Sequence, residues 1–109
     1  MSVNFEGGTA GIRPMRLTGT GVTDIVAETN RCLVKKVYAV EVAGAQPAFT
    51  LGIYDGTNTT LLMSAKPMTA RQVLVWEDIP LEPGWKLTAQ AGAGNQIHVT
   101  AVIVEPGQG

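Results

Sequence analysis

The stretch Ala48-Phe49-Thr50-Leu51-Gly52-Ile53-Tyr54, followed by Asp55-Gly56-Thr57-Asn58, decides the fold class of this 109-residue chain. Side chains alternate across an extended segment, so Phe49, Leu51 and Ile53 fall on one face and Thr50, Gly52 and Tyr54 on the other. Asp55-Gly56 then supplies the positive φ that a hairpin loop needs. The same period recurs at 85–91, where Trp85, Leu87, Ala89 and Ala91 oppose Lys86, Thr88 and Gln90. It recurs again near the C-terminus, where Ile97, Val99, Ala101 and Ile103 oppose Gln96, His98 and Thr100. Gly92-Ala93-Gly94-Asn95 is expected to join these two segments as a hairpin, and the span from Pro80 to Gly84 to turn into the Trp85 strand. Weaker strands at 15–18, 22–27, 59–64 and 71–77, with a long one at 33–43, bring the count to about eight.

Composition agrees with this reading. Thirteen glycines and six prolines punctuate turns, and twelve threonines against two serines favour pleated surfaces. No window carries an i, i+3, i+4, i+7 apolar stripe between caps, and no helical segment separates the strands for a parallel crossover. The expected fold is all-β: an antiparallel β-sandwich or small jelly roll with a flexible N-terminal arm. Its divisions are an arm at 1–12, the sandwich at 13–105 and a tail at 106–109.

Two strands carry apolar residues on both faces. In 33–43, Val34, Lys36, Tyr38, Val40 and Val42 share one face, opposite Leu33, Lys35, Val37, Ala39 and Glu41. Near the end of the chain Val102 and Val104 lie opposite Ala101 and Ile103. A two-layer sandwich has one core, so the second face must be covered by the arm, through residues such as Val3 and Phe5, or by another subunit. Both remain open at this point. The interface candidates are therefore Val3, Phe5, Val34, Tyr38, Val40, Val42, Val102 and Val104.

Several classes of function find no support. Eight basic and nine acidic residues leave no basic patch to displace counterions from nucleic acid. Apolar runs are too short to cross a bilayer, and no charged segment with an apolar core opens the sequence as a secretory signal would. One cysteine allows neither an intrachain disulfide framework nor a multi-cysteine zinc site, and a reducing compartment is expected. No metal or cofactor is expected. The lone thiol–imidazole combination is Cys32 with His98; Cys32 reads as a buried hydrophobe and His98 as facing away from the core. Glu77 and Asp78 are adjacent, so as strand residues they point to opposite faces and read as a solvated strand end. Gly7-Gly8-Thr9-Ala10-Gly11 lacks the Lys-Ser/Thr of a phosphate-binding loop. A carbohydrate-binding module would need exposed aromatic rings; Trp85 reads as core, leaving Trp76 and Tyr54 for that role.

Asn30-Arg31-Cys32-Leu33-Val34-Lys35-Lys36-Val37-Tyr38-Ala39-Val40 and Phe49-Thr50-Leu51-Gly52-Ile53-Tyr54-Asp55-Gly56 resemble the opening of small tailed-phage virion proteins. The likeness continues through Ile79-Pro80-Leu81-Glu82-Pro83-Gly84-Trp85-Lys86-Leu87-Thr88-Ala89-Gln90-Ala91 and Ile97-His98-Val99-Thr100-Ala101-Val102, covering about 28–105. The resemblance implies a non-enzymatic, multi-copy structural component of a phage particle, made in the host cytoplasm. It implies a capsid decoration (cement) protein, with a neck or tail ring protein as the alternative. Partners would be copies of itself and other virion proteins, a major capsid protein or a connector, with no nucleic acid and no membrane.

Overall fold

The computed structural model describes residues 3–5 and 8–105, with side chains from residue 11 to residue 105. Nine strands and no helix occur among the described residues. They are β1 (Val3–Phe5), β2 (Gly8–Leu17), β3 (Thr23–Val26), β4 (Cys32–Glu41), β5 (Ala48–Tyr54), β6 (Thr59–Pro67), β7 (Val73–Leu81), β8 (Lys86–Ala91) and β9 (Ile97–Glu105). Two antiparallel sheets result, ordered β1-β2-β9-β4-β7 and β3-β8-β5-β6. The pairs β2/β9, β3/β8, β4/β7 and β5/β6 nest within one another. The chain is thus a long two-stranded ribbon, folded at the β5–β6 hairpin and rolled across both layers, which is a jelly roll.

The eight expected strands are all present, and β1 is a ninth. β2 starts at Gly8, so a division drawn at residue 12 falls inside a strand. β1 pairs with β2 through Val3↔Ala10 and Phe5↔Gly8 and so extends the sheet sideways at its edge. The turn at 55–58 is a hairpin as expected: Asp55 N–H donates to the Asn58 carbonyl, and the Asp55 carboxylate accepts from the Thr57 and Asn58 N–H groups. The connection at 92–95 is not a hairpin. β8 and β9 belong to different sheets, and residues 92–95 carry the chain from one layer to the other. This crossing is tight. Asn95, at φ +60°, donates its N–H to the Leu17 carbonyl at 2.8 Å, and a Cβ on Gly94 would stand 2.5 Å from the Thr18 carbonyl oxygen. Gly94 is required there by space.

β7 also runs past its expected end, through Ile79 and Pro80 to Leu81. Pro80 is compatible with this because β7 is an edge strand, one of the few places in a sheet where proline is tolerated. The chain then turns at Glu82, whose carbonyl accepts from Trp85 N–H.

The core lies between the two sheets. Val37, Ala39, Ile97, Val99, Ala101 and Ile103 come from one layer, Phe49, Leu51, Leu87, Ala89 and Ala91 from the other, and all are buried. Trp76 lies against Phe49, with ring centroids 5.6 Å apart. One acidic side chain is fully buried. Glu41 accepts hydrogen bonds from the backbone N–H groups of Ala43, Gly44, Ala45 and Arg71 at 2.8–3.1 Å, tying the end of β4 to the loop before β7. Burial alone would push this carboxyl up. The four donors outweigh it and bring it down to about 2.

Candidate interaction surface

The outward face of the five-stranded sheet is assembled by strand register. Ile12, Val102, Lys36 and Glu77 form one cross-strand row. Pro14, Thr100, Tyr38 and Val75 form the next, and Arg16, His98, Val40 and Val73 the third. Ile12 is 61% exposed, Val73 51% and Val75 46%, so about half or more of each of these apolar residues meets solvent. Lys36 places its ammonium 5.9 Å from the centroid of the Tyr38 ring. Among the described residues, Arg16 and Glu77 are exposed and neither takes part in an ion pair.

A bulge decides which β4 residues reach this face. Along β9 the register of β4 shifts between Val34 and Lys36, leaving Lys35 as an extra residue. β7 makes the same step opposite it, at Asp78, which adopts φ +55°. Strict alternation puts Val34 with Tyr38 and Val40; the inserted residue reverses that phase, and Val34 is fully buried in the core with Val37 and Ala39. Val34 therefore does not lie on the outward face. Nor are Glu77 and Asp78 a strand end: they occupy the middle of β7, where Lys35 and Asp78 bridge the bulge at 3.5 Å.

Of the other sequence candidates, Tyr38, Val40 and Val102 come together in the three rows. Val104 pairs with Leu33 one row beyond, and Val42 follows the end of β4; both are half-buried. Val3 and Phe5 are on β1, and their side chains lie outside the described residues. Sequence reading missed Ile12, Pro14, Val73 and Val75 as members of this face. The signal was available for β7, since Val73 and Val75 alternate with Leu74 and Trp76, which turn inward.

The remaining groups with chemical potential are separated by the fold. Cys32 is buried on the core side of the sheet and His98 sits on its outward side, so the two cannot meet. Burial, and then the charges of Glu28 and Glu105, push the Cys32 thiol up to about 11. Arg13 reaches Glu28 at 3.3 Å beside them. Burial raises the Glu28 carboxyl, but hydrogen bonds from Glu105 and Arg13 hold it below its ordinary value; Glu105, bonded to Glu28, is raised. No group of three His, Cys, Asp or Glu residues among the described ones could hold a metal ion. Tyr54 carries Lys86 at 6.0 Å from its ring, and Trp76 is turned onto Phe49, so the two rings do not form one flat platform.

Neither a protein-family model nor a curated protein matches this chain. Solved structures do. It is similar to a pentameric capsid protein isolated from metagenomic phage sequences, at 14% identity and a TM-score of 0.52 over 88% of this chain and 61% of that one. It is similar to a chain of the acidic stable capsid structure of Helicobacter pylori bacteriophage KHP30, at 17% identity and a TM-score of 0.52 over 96% of this chain and 91% of that one. It is also similar to a chain of infectious bursal disease virus, Gx strain, at 12% identity and a TM-score of 0.50, over 92% of this chain and 34% of that one. The chain therefore spans less than two thirds of the metagenomic phage protein and about a third of the bursal disease virus chain, and nearly all of the bacteriophage KHP30 chain. What it shares with them is the fold, two antiparallel sheets in jelly-roll order.

Proposed function

We propose that this chain is a non-enzymatic structural subunit of a virus particle and, within that class, a capsid decoration protein that binds an assembled shell. The observation that carries this reading is the open outward face of the β2-β9-β4-β7 sheet, where Ile12, Val73 and Val75 are exposed outside a core that is buried between the two sheets. Such a face stabilises an assembly simply by being covered. A subunit that binds the assembled shell and not its separated parts shifts the equilibrium toward the shell, with no chemistry of its own. The likeness to capsid chains supports the class, and the bacteriophage KHP30 chain shows that one jelly roll of nearly this length can be a whole chain of a capsid. The particle is then its place of residence and the host cytoplasm its place of synthesis.

The test is co-sedimentation of the purified protein with emptied phage shells, alongside the temperature at which those shells break. Decoration predicts saturable binding, a higher breakage temperature, and loss of both when Tyr38 or Val75 is replaced by Glu. Binding confined to the neck or tail would replace the decoration reading with a ring protein. No binding to any part of the particle would remove the structural reading.

A further inference from the structure

At one end of the sandwich, charged groups gather on the core side of the main sheet. Ile97, Val99, Ala101 and Ile103 of β9 face inward, and Glu105, the last residue of that strand, ends the same row. Arg13 of β2 lies opposite Ala101 and shares that side. A Cβ on Gly11 would stand 2.9 Å from Nη1 of Arg13, so the guanidinium lies along the space that this glycine leaves. Glu28 belongs to the loop that carries the chain from β3 to β4, and so from one sheet to the other. Its carboxylate meets Nη2 of Arg13 at 3.3 Å and accepts from Nε at 3.4 Å. It is also hydrogen-bonded to the carboxyl of Glu105. Buried Cys32, at the start of β4, lies within reach of both carboxyl charges.

Among the described residues, the titratable and charged groups facing Glu105 are therefore Arg13 from β2, Cys32 from β4 and Glu28 from the intersheet loop. Two carboxyls against one guanidinium leave one negative charge over. Arg31 and Lys35, the next cations along the chain after the outward-facing Arg16, are engaged by Glu82 and Asp78. A hydrogen bond between two carboxyls needs a proton on one of them. One retained proton therefore supplies that bond and removes the surplus charge together.

We propose that Glu28 and Glu105 form a proton-operated clasp, which fastens the intersheet loop to the end of β9 while the pair holds one proton and releases that end when the proton leaves. With both groups ionised, two carboxylates meet beside a single guanidinium and repel. Arg13 retains Glu28, so the part that gives way is the end of β9. Glu105 is paired there with Thr9, within the stretch of β2 that also holds β1. Release of Glu105 therefore loosens the base of the N-terminal strand pair. The direction follows from Glu105, which its bond to Glu28, and then burial, raise above the ordinary value of 4.5. A raised group stabilises the folded arrangement fully below its ordinary value, and this is lost as pH rises through the folded one. The clasp thus opens on the alkaline side, opposite in sense to Glu41. It is a property of the fold and does not rest on the capsid reading.

Amide hydrogen exchange of the full chain, followed by NMR from pH 4 to pH 8 and corrected for intrinsic exchange rates, tests the clasp. The opening equilibrium at Ile103, Val104 and Glu105 should rise by about tenfold or more across this range. Val99 and Ala101, in the middle of the same strand, should stay within about threefold. Glu105→Gln places a carboxamide N–H where the shared proton was, and its bond to Glu28 does not titrate. In that variant the opening at Ile103 and Val104 should stay within about threefold from pH 4 to pH 8. Glu28→Gln should likewise remove the pH dependence, with more opening at every pH because Arg13 loses its carboxylate partner. A flat profile in the parent, or the parent's slope retained in Glu105→Gln, would overturn the clasp. So would a rise shared by Val99 and Ala101, which would report loosening of the whole strand. The parent profile needs no substitution and decides the matter even where a variant does not fold.

Discussion

Glu41 shows how one side chain can link the acid tolerance of the fold to its loop geometry. Its carboxylate is the shared acceptor for N–H groups from both Ala43–Ala45 and Arg71, so two loops lose their anchor together when it is protonated. The folded group titrates at about 2, below its ordinary value of 4.5. An unfolded chain therefore takes up this proton first. The stabilisation is fully present above the ordinary value and is lost as pH falls from there through the folded one. Asp55 is lowered by the Asn58 and Thr57 N–H donors and acts in the same direction, while Glu28 and Glu105 are shifted in opposite senses and tend to offset. Thermal melts between pH 6 and pH 2 should show Glu41→Gln less stable than the parent at pH 6, with a shallower fall on acidification. Equal slopes for the two proteins would mean that the four donors do not set the acid response. A second residue-scale expectation concerns Leu51, fully buried between the sheets: Leu51→Ala should cost about 2–5 kcal/mol in urea unfolding, as truncation of a packed Leu does. A cost under about 1 kcal/mol would mean that this side chain does not face the core.

At the scale of elements, the paired bulge in β4 and β7 is the feature that separates what alternation could read from what it could not. Phe49 and Leu51 in β5, and the four inward residues of β9, follow an unbroken two-residue period, so their burial was legible from order alone. Val34 was not legible. The extra residue at Lys35 changes the phase, and it is matched by Asp78, forty-three positions later in the chain, a coincidence that exists only once the strands are paired. Asp78 accommodates φ +55° because Asp tolerates the left-handed region better than most residues. Its ion pair with Lys35 joins two side chains more than half exposed and adds little. Two variants isolate the backbone contribution, since both delete the ion pair. Asp78→Val should destabilise by about 1–2 kcal/mol, the cost of holding a β-branched residue at that φ, whereas Asp78→Gly should be neutral or slightly stabilising. Matching effects for Val and Gly in equilibrium unfolding would show that β7 does not need the left-handed residue.

At the scale of the whole molecule, the jelly roll is held by pairings between distant parts of the chain: Thr9 opposite Glu105, and Cys32 opposite Leu81. No local signal marks such pairs. That is why the sequence disclosed the strands and the layered class, yet read residues 92–95 as a hairpin where the chain in fact changes layers. The nested order also ranks the strands. β9 lies between β2 and β4, so removing it leaves two strands of the main sheet with nothing between them, while β1 adds only three residues at an edge. Two truncations test this ranking. A chain ending at residue 96 should lose the β-sheet signal in far-ultraviolet circular dichroism and its cooperative thermal transition. A chain lacking residues 1–7 should keep both, with a midpoint within about 8 °C of the parent, the shift that about 1 kcal/mol produces in a domain of this size. Failure of the shorter N-terminal form to fold would make β1 a part of the domain's stability. If it folds yet no longer binds shells, the arm's role lies in docking, and the outward face alone does not account for attachment.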